Sequence, residues 1–290
     1  MIRIKKNISK RRRSKKRRFD RNLDNCISSP RRMHWVLQKR GYELGNFIML
    51  TPALQLVFKK NKIPIPVFFN NQYIAILYKK CPFLKRIIKK PDNEPKYSTY
   101  CPKRLKGESD IMAWCRIYAK NVKNIPNPYI DPPQKMHYFK KEKDKKYVAV
   151  IHGAHPKSVF LKKKSIGPRT ISYIINKLLE EGFIPVIIGN KSDKKRFWFD
   201  INLEKCINLL GKLNIKKSVD VFNSCDYFIS NDTGFYHIGA ALKKTGMILW
   251  KKTNMKKNME LSDKLLHCKN NTGEFSIYKK FIDTNLEYWK

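Results

Sequence analysis

Acidic residues are scarce in this chain: 63 Lys and Arg stand against 23 Asp and Glu, for a formal charge of +40. The first eighteen residues, MIRIKKNISKRRRSKKRR, hold eleven bases and no acid, and the excess persists along the rest of the chain. Such a field selects for anionic partners, whether nucleic acid, acidic membrane surfaces or phosphorylated small molecules. Charge alone does not choose among them, and a chain so rich in Lys, Asn and Ile also fits AT-biased coding. Paired cysteines are missing too. Cys26, Cys81, Cys101, Cys115, Cys206, Cys225 and Cys268 form no C-x-x-C pair and no framework spacing, which is expected of a reduced compartment. No apolar run reaches the roughly 18 residues of a bilayer span. The basic start lacks the apolar region of a signal peptide, so the expectation is an intracellular, soluble, cytoplasmic protein. No paired-carboxylate metal motif is present, and no metal or cofactor is expected.

What is there is enough to build cores: 42% apolar and 12% aromatic residues over 290 positions, a length that suits two domains. Residues 1–30 read as a basic, disordered tail. From Met33, MHWVLQ reads as a strand, GYELGN as a loop, and FIMLTPALQLVFKK as a helix with Pro52 early in it, where its missing N–H costs little. IPVFF (Ile65 to Phe69), a helix from Asn71, LKRII (Leu84 to Ile88) and a helix from Glu108 to Lys120 complete a first α/β domain, 31–123. Residues 124–145 are rich in proline and charge and cannot run inside a sheet; they are the expected linker. A second α/β domain, 146–290, opens with YVAVIHGAH. A helix from Gly167 to Glu181 follows, then the strand IPVIIG, with Ser192 and Asp193 placed to cap the next element. A short helix from Ser218 to Ser224, the strand DYFIS and the strand GMILW (Gly246 to Trp250) come after. Repeated βα units of this kind predict parallel sheets.

In open parallel sheets, ligands sit beyond the carboxyl ends of strands, at loops that become helix N-termini. Four loops qualify: Glu43 to Asn46, His152 to Lys164, Gly189 to Asp193, and Asn231 to His237. In SNDTGFYHIGAAL (Ser230 to Leu242), Asn231, Asp232 and Thr233 occupy the crossover. Gly234 permits close approach of a phosphate, and His237 shares the helix face of Thr233 and Gly234. A carboxylate at that position repels a diphosphate but accepts from sugar hydroxyls or from helix N–H groups, so Asp232 reads as a sugar contact or a cap. The same text also fits a capped helix start with a core histidine.

SNDTGFYHIGAAL resembles the donor-binding motif of glycosyltransferase family 9, the ADP-heptose:lipopolysaccharide heptosyltransferases and their relatives, with Gly239 in place of the usual alanine. IHGAHPKSVFLKKKSIGPRTISYII is similar to the family's strand, basic loop and helix, although the proline after its histidine is missing. Lys164 is the best match to the phosphate-binding lysine, with Lys157, Lys162 and Lys163 as rivals. ELGNFIMLTPAL is similar to the family's amino-terminal signature, and the likeness runs from about Met33 to Trp250. The resemblance implies a GT-B fold of two facing Rossmann-like domains with parallel sheets, acceptor on the first and donor on the second. It also implies inverting, metal-independent transfer from a nucleotide-diphosphate sugar, an ADP-sugar by preference, to an anionic saccharide or glycolipid. Asp232, Thr233, Gly234 and His237 join Lys164 as implied donor contacts, with His152, Gly153, Lys157, Gly189 and Lys212 as secondary donor-side candidates.

One position departs from the pattern. The family's proposed general base is an aspartate, and here that position is Asn46, an amide that orients but does not accept a proton near neutral pH. Glu43 is the nearest carboxylate able to replace it; a degenerate sugar-nucleotide-binding protein is the other reading. The basic N-terminus is where peripheral membrane contact would be made. Nucleic-acid binding would need a separate module or a basic stripe with exposed aromatics, and neither appears outside the tail.

Overall fold

Two all-parallel sheets form where short apolar, β-branched and aromatic runs alternate with helices. A computed structural model of the chain describes residues 36–38, 44–89, 97–98, 103–134, 138–153, 164–196, 203–251, 253–258 and 262–290. The expected basic tail, Glu43, Lys157, Lys162 and Lys163 lie outside the described residues.

The first sheet holds β1 (Val36–Gln38), β2 (Ile65–Phe69), β3 (Leu84–Ile87) and β4 (Tyr97–Ser98) in the order β3-β2-β1-β4. Its main helix, α1 (Leu44–Asn61), buries Phe47, Ile48, Leu50, Ala53 and Leu54. Phe47 meets Phe69 of β2 and Tyr78 at ring separations of 5.1 and 4.8 Å. Asn71 caps the one-turn helix α2 (Gln72–Ala75) through Tyr73 N. Ser109 caps α3 (Asp110–Trp114), which continues as a π-helical turn to Ala119.

α1 begins earlier than the sequence suggests. The loop expected at GYELGN is already helical from Leu44, so Asn46 lies in the first turn of the helix and Pro52 lies in its interior. An interior proline leaves the carbonyl four residues back without its N–H partner. Here that carbonyl is Ile48 O, and the Thr51 hydroxyl donates to it at 2.6 Å. Thr51 Oγ1 in turn accepts the Tyr129 N–H at 2.8 Å, so the Thr51-Pro52 pair both repairs the helix and anchors the chain leaving the first sheet. Thr51 is fully buried. Thr51→Val, which strands two buried polar groups, is expected to cost about 2 kcal/mol or more in urea denaturation, with Thr51→Ser retaining most of the stability.

The segment 121–134 and residues 138–146 contain no helix or strand. Gln55 donates to Asn127 O and Asp131 N donates to Leu77 O on the first-sheet side. Gln134 N then donates to Asp220 and Lys141 pairs with Asp226 on the second. The connection is strapped to each half in turn.

The second sheet contains β5 (Tyr147–Ile151), β6 (Ile184–Ile187), β7 (Ile207–Asn208), β8 (Tyr227–Asn231), β9 (Gly246–Trp250) and β10 (Leu265–Lys269), ordered β10-β9-β8-β5-β6-β7. Period-two alternation sends Val148 and Val150 of β5 to one core, and Ala149 and Ile151 to the other. The first core is closed by α4 (Pro168–Glu180), whose Ile171, Ile174, Ile175 and Leu178 recur at helical spacing. It is closed also by α8 (Phe275–Leu286), which the sequence reading did not reach. Each such side chain contributes roughly 1.5–3 kcal/mol by leaving water. α5 runs Ile215–Ser224, three residues longer than expected at its start, because Asn214 caps it through Lys217 N at 2.9 Å. α6 (Gly234–Ala241) follows β8, and α7 (Met255–Asn258) lies between β9 and β10.

Trp250 Nε1 donates to His267 Nδ1 at 3.0 Å, and burial lowers the His267 pKa from 6.5 to about 4. The folded state therefore holds this ring neutral while the unfolded chain protonates it near 6.5. Its contribution is complete above pH 6.5 and is lost as pH falls toward 4, on the order of 3 kcal/mol. Urea midpoints measured at pH 7 and pH 4.5 should diverge, and His267→Gln should flatten that dependence.

The described cysteines, Cys81, Cys115, Cys206, Cys225 and Cys268, are all free thiols. Burial pushes those of Cys81, Cys115 and Cys225 up to about 12. Among the described residues, no helix is long and apolar enough to cross a membrane.

Candidate functional site

The chain leaves β5 toward β6 and β7 on one side, while β8 continues to β9 and β10 on the other. The carboxyl ends of β5 and β8 thus flank a topological switch point, where open α/β sheets place their ligands. A cavity of about 640 Å³ lies there and extends to the first half. Its second-half wall includes Gly153, Lys164, Gly189, Asp193, Asp232, Thr233, Gly234 and His237. Leu44, Gly45, Asn46, Asn71 and Tyr73 come from the first.

Asn231 organises the switch point. It is fully buried, and its amide donates to Gly153 O at 3.2 Å and to Lys164 O at 3.1 Å. One side chain at the end of β8 thereby fixes both flanks of the loop that follows β5. The sequence places Asn231 in the crossover but gives no sign of this bracing role, which depends on which strand is adjacent.

Lys164 Nζ lies 2.6 Å from Asp232 Oδ2, with side-chain exposures of 13% and 3%. The lysine expected to meet phosphate is therefore presented in an ion pair. Thr233 occupies the N-cap position of α6 with extended backbone and no cap bond from its own side chain. Gly234 and Phe235, whose N–H groups open the helix, line the cavity, and the N–H groups of a helix start are a ready anion site.

Asp193 shapes the loop after β6 rather than capping a regular α-helix; residues Lys191–Arg196 form a 3-10 turn. It is 1% exposed and accepts from Asn190 N at 2.8 Å. A Cβ on Gly153 would collide with its carboxylate, and one on Gly189 would come within 2.8 Å of it. These two glycines let the loops after β5 and β6 pack around the Asp193 carboxylate. His152 is fully buried, with Nε2 3.4 Å from Asp193 O; it supports the loop instead of lining the cavity. Lys212 is exposed and does not line it either.

The two halves meet at the start of α1. A Cβ on Gly45 would stand 2.5 Å from His237 Cδ2 and 2.8 Å from Nε2, and one on Gly234 would stand 2.9 Å from Leu44 Cδ2. His237 is 4% exposed and packs beside Tyr236, ring centroids 4.6 Å apart. Asn46 and His237 thus share the cavity, and the glycine in ELGN serves close approach between halves instead of a turn. Among the described residues, no cluster of three or more His, Cys, Asp or Glu could hold a metal ion.

Two parallel sheets that meet across a cleft, with a helix N-terminus and a lysine at the second sheet's switch point, make this an α/β protein of the GT-B type. Residues 119–283, more than half of the chain, match the model of glycosyltransferase family 9 (heptosyltransferase), and the chain belongs to that family. It is 28% identical over 185 residues to lipooligosaccharide heptosyltransferase 2 of Haemophilus influenzae, a match covering 58% of this chain and 53% of that protein. It is 34% identical over 73 residues to the Haemophilus ducreyi protein of the same name, covering 23% and 21%. The match therefore spans about half the length of the first relative and a fifth of the second. Among solved structures, a family 9 glycosyl transferase from Veillonella parvula superposes with a TM-score of 0.69 at 13% identity, covering 87% of this chain and 95% of that one. The E. coli ADP-heptose lps heptosyltransferase II superposes with 0.67 at 14%, covering 88% and 100%. At those identities the likeness is one of fold.

Proposed function

We propose that the protein transfers a heptose-like sugar from a nucleotide-diphosphate sugar, an ADP-sugar by preference, to a saccharide or glycolipid acceptor. The observation that carries this reading is the cavity at the β5/β8 switch point, where Lys164, Asp232 and the start of α6 converge across from Asn46. The family and the relatives' names support heptose and a lipooligosaccharide-type acceptor.

In this reading residues 146–290 bind the donor, residues 31–123 face the acceptor, and 124–145 connect them. The diphosphate lies against Lys164 and the N–H groups of Gly234 and Phe235. Charge that grows on the leaving diphosphate is stabilised there without a divalent ion. Asp232 exchanges its bond to Lys164 for sugar hydroxyls as the phosphate arrives. Single displacement at the anomeric carbon inverts its configuration. The overall positive charge draws an anionic glycolipid to the cytoplasmic face of a membrane, and the amino-terminal bases lend peripheral contact.

ADP release from ADP-heptose, followed in excess chelator with UDP- and GDP-sugars as comparators, tests the reading. Turnover of ADP-heptose that survives the chelator is expected. Turnover restored only by a divalent ion would contradict the metal-free mechanism. Tight ADP-heptose binding with no turnover in any condition would leave a sugar-nucleotide-binding protein, the reading that Asn46 favours.

A further inference from the structure

We propose that the first half docks on an anionic lipid surface through the exposed side of residues 72–89, beside the cavity. This deepens the membrane contact in the reading above and rests on it for its setting, but its test needs no sugar nucleotide. Between Gln72 and Lys89 the sequence carries five bases, Lys79, Lys80, Lys85, Arg86 and Lys89, and no acid. All of these bases are exposed. Large apolar side chains stand among them: Tyr73 is 72% exposed, Ile76 42% and Ile88 88%.

Burial along α2 and the 3-10 turn after it, Ile76–Tyr78, has helical spacing. Ile74, Ala75, Leu77 and Tyr78 are buried, while Tyr73, Ile76, Lys79 and Lys80 are exposed. One side therefore faces the core, and the other presents apolar residues and then bases to solvent. β3 adds to that side. It is the edge strand of the first sheet, and its Arg86 donates to the Gln72 side chain. Pairing of Arg86 with Val67 and of Ile87 with Phe68 brings Ile88 level with the end of β2, close to where α2 begins. Local bonds hold this corner: Asn71 Oδ1 accepts Tyr73 N at 2.9 Å, and Gln72 Nε2 donates to Phe69 O at 3.3 Å. Asp131, which accepts the Lys80 N–H at 2.5 Å, is partly buried. Bases alone would suit any polyanion, but isoleucines exposed among them suit one with a hydrocarbon interior. A nucleic acid gains from stacked aromatics and phosphate contacts, and Ile76 and Ile88 offer it neither. A tyrosine suits the headgroup level, and the bases gain from anionic lipids within a Debye length. Because Tyr73 also lines the cavity, a bilayer on this face brings the head of a lipid-linked acceptor to the cavity opening.

The test is cosedimentation of the full chain with phosphatidylglycerol/phosphatidylcholine vesicles, with pure phosphatidylcholine vesicles as the reference. Wild type is expected to prefer the anionic vesicles. Ile76→Ser/Ile88→Ser, which leaves the charge unchanged, is expected to lower the partition coefficient about 10-fold. Lys79→Gln/Lys85→Gln is expected to lower it about 10-fold at low salt and less at high salt. Matched changes at exposed positions of the second half, Ile277→Ser and Lys264→Gln/Lys280→Gln, are expected to change little. Equal losses from the two sets would show diffuse attraction by the basic tail or by the whole charge field, and would overturn the assignment. So would a wild type with no preference for anionic vesicles, or full binding by Ile76→Ser/Ile88→Ser. Variants of this face that keep vesicle binding and lose oligonucleotide binding would mark a nucleic-acid surface instead. Each of these failures leaves the donor site standing, whereas docking through this face by a chain that binds no ADP-heptose would keep the surface and remove the transferase reading.

Discussion

Lys164→Ala is expected to weaken ADP-heptose binding about 100-fold. Truncating one member of a buried, hydrogen-bonded charge pair commonly costs several kcal/mol in a complex. Two effects act in the same direction here. The diphosphate loses its ammonium partner, and Asp232, only 3% exposed, keeps its carboxylate beside the phosphate position without the lysine that paired it. Titration calorimetry reads the affinity directly, and differential scanning calorimetry reads the accompanying loss of stability. The pairing makes a further distinction. Removing Asp232 in the Lys164→Ala background should return part of the stability, since the unpaired buried carboxylate is gone, without returning donor affinity, since the cation is still missing. Equal losses from Lys164→Ala and Lys164→Arg would show that length and fork geometry matter more than charge.

Gly45→Ala should lower kcat/KM about 100-fold without unfolding either sheet. The added methyl would overlap the His237 ring at 2.5 Å, and the ring has little room to turn, packed beside Tyr236 and 4% exposed. Either His237 leaves its position or the start of α1 lifts away from α6; both displace groups that line the cavity by about an ångström, a scale that costs about 100-fold in positioned chemistry. The double variant Gly45→Ala/His237→Ala separates the steric cause from any other. If the clash is the whole effect, adding Gly45→Ala to His237→Ala should change little.

The second half was largely legible in the sequence because its signals are local. An apolar strand ending in N-D-T-G and running into an uncharged helix fixes β8 and α6 within a residue, and YVAVI and IPVII each read as buried strands. The first half was read less well at its most informative point. Gly45 suggested a loop, since glycine weakens helices, yet it lies in the first turn of α1 to admit the His237 ring from a helix 190 residues further along the chain. No local pattern carries that information. Pro52 misled in the same direction: it suggests the first turn of a helix, and only the Thr51 hydroxyl on Ile48 O shows how an interior position is tolerated.

Contacts between distant segments explain the other gaps. The Lys164–Asp232 pair and the bracing amide of Asn231 depend on β5 and β8 being neighbours, which strand order decides and sequence order hides. LLHCK mixes apolar residues with His267, whose place beside Trp250 makes sense only once β9 and β10 pair. The secondary candidates divided for similar reasons. Gly153 and Gly189 line the cavity, His152 is buried against the Asp193 loop, and Lys212 is exposed and does not line the cavity.

Calorimetric titration of the wild-type protein with ADP-heptose tests the donor site most directly. Saturable one-to-one binding, lost in Lys164→Ala and competed by ADP, is the result expected of a site at the β5/β8 switch point. Absence of binding, or binding indifferent to Lys164, would contradict it.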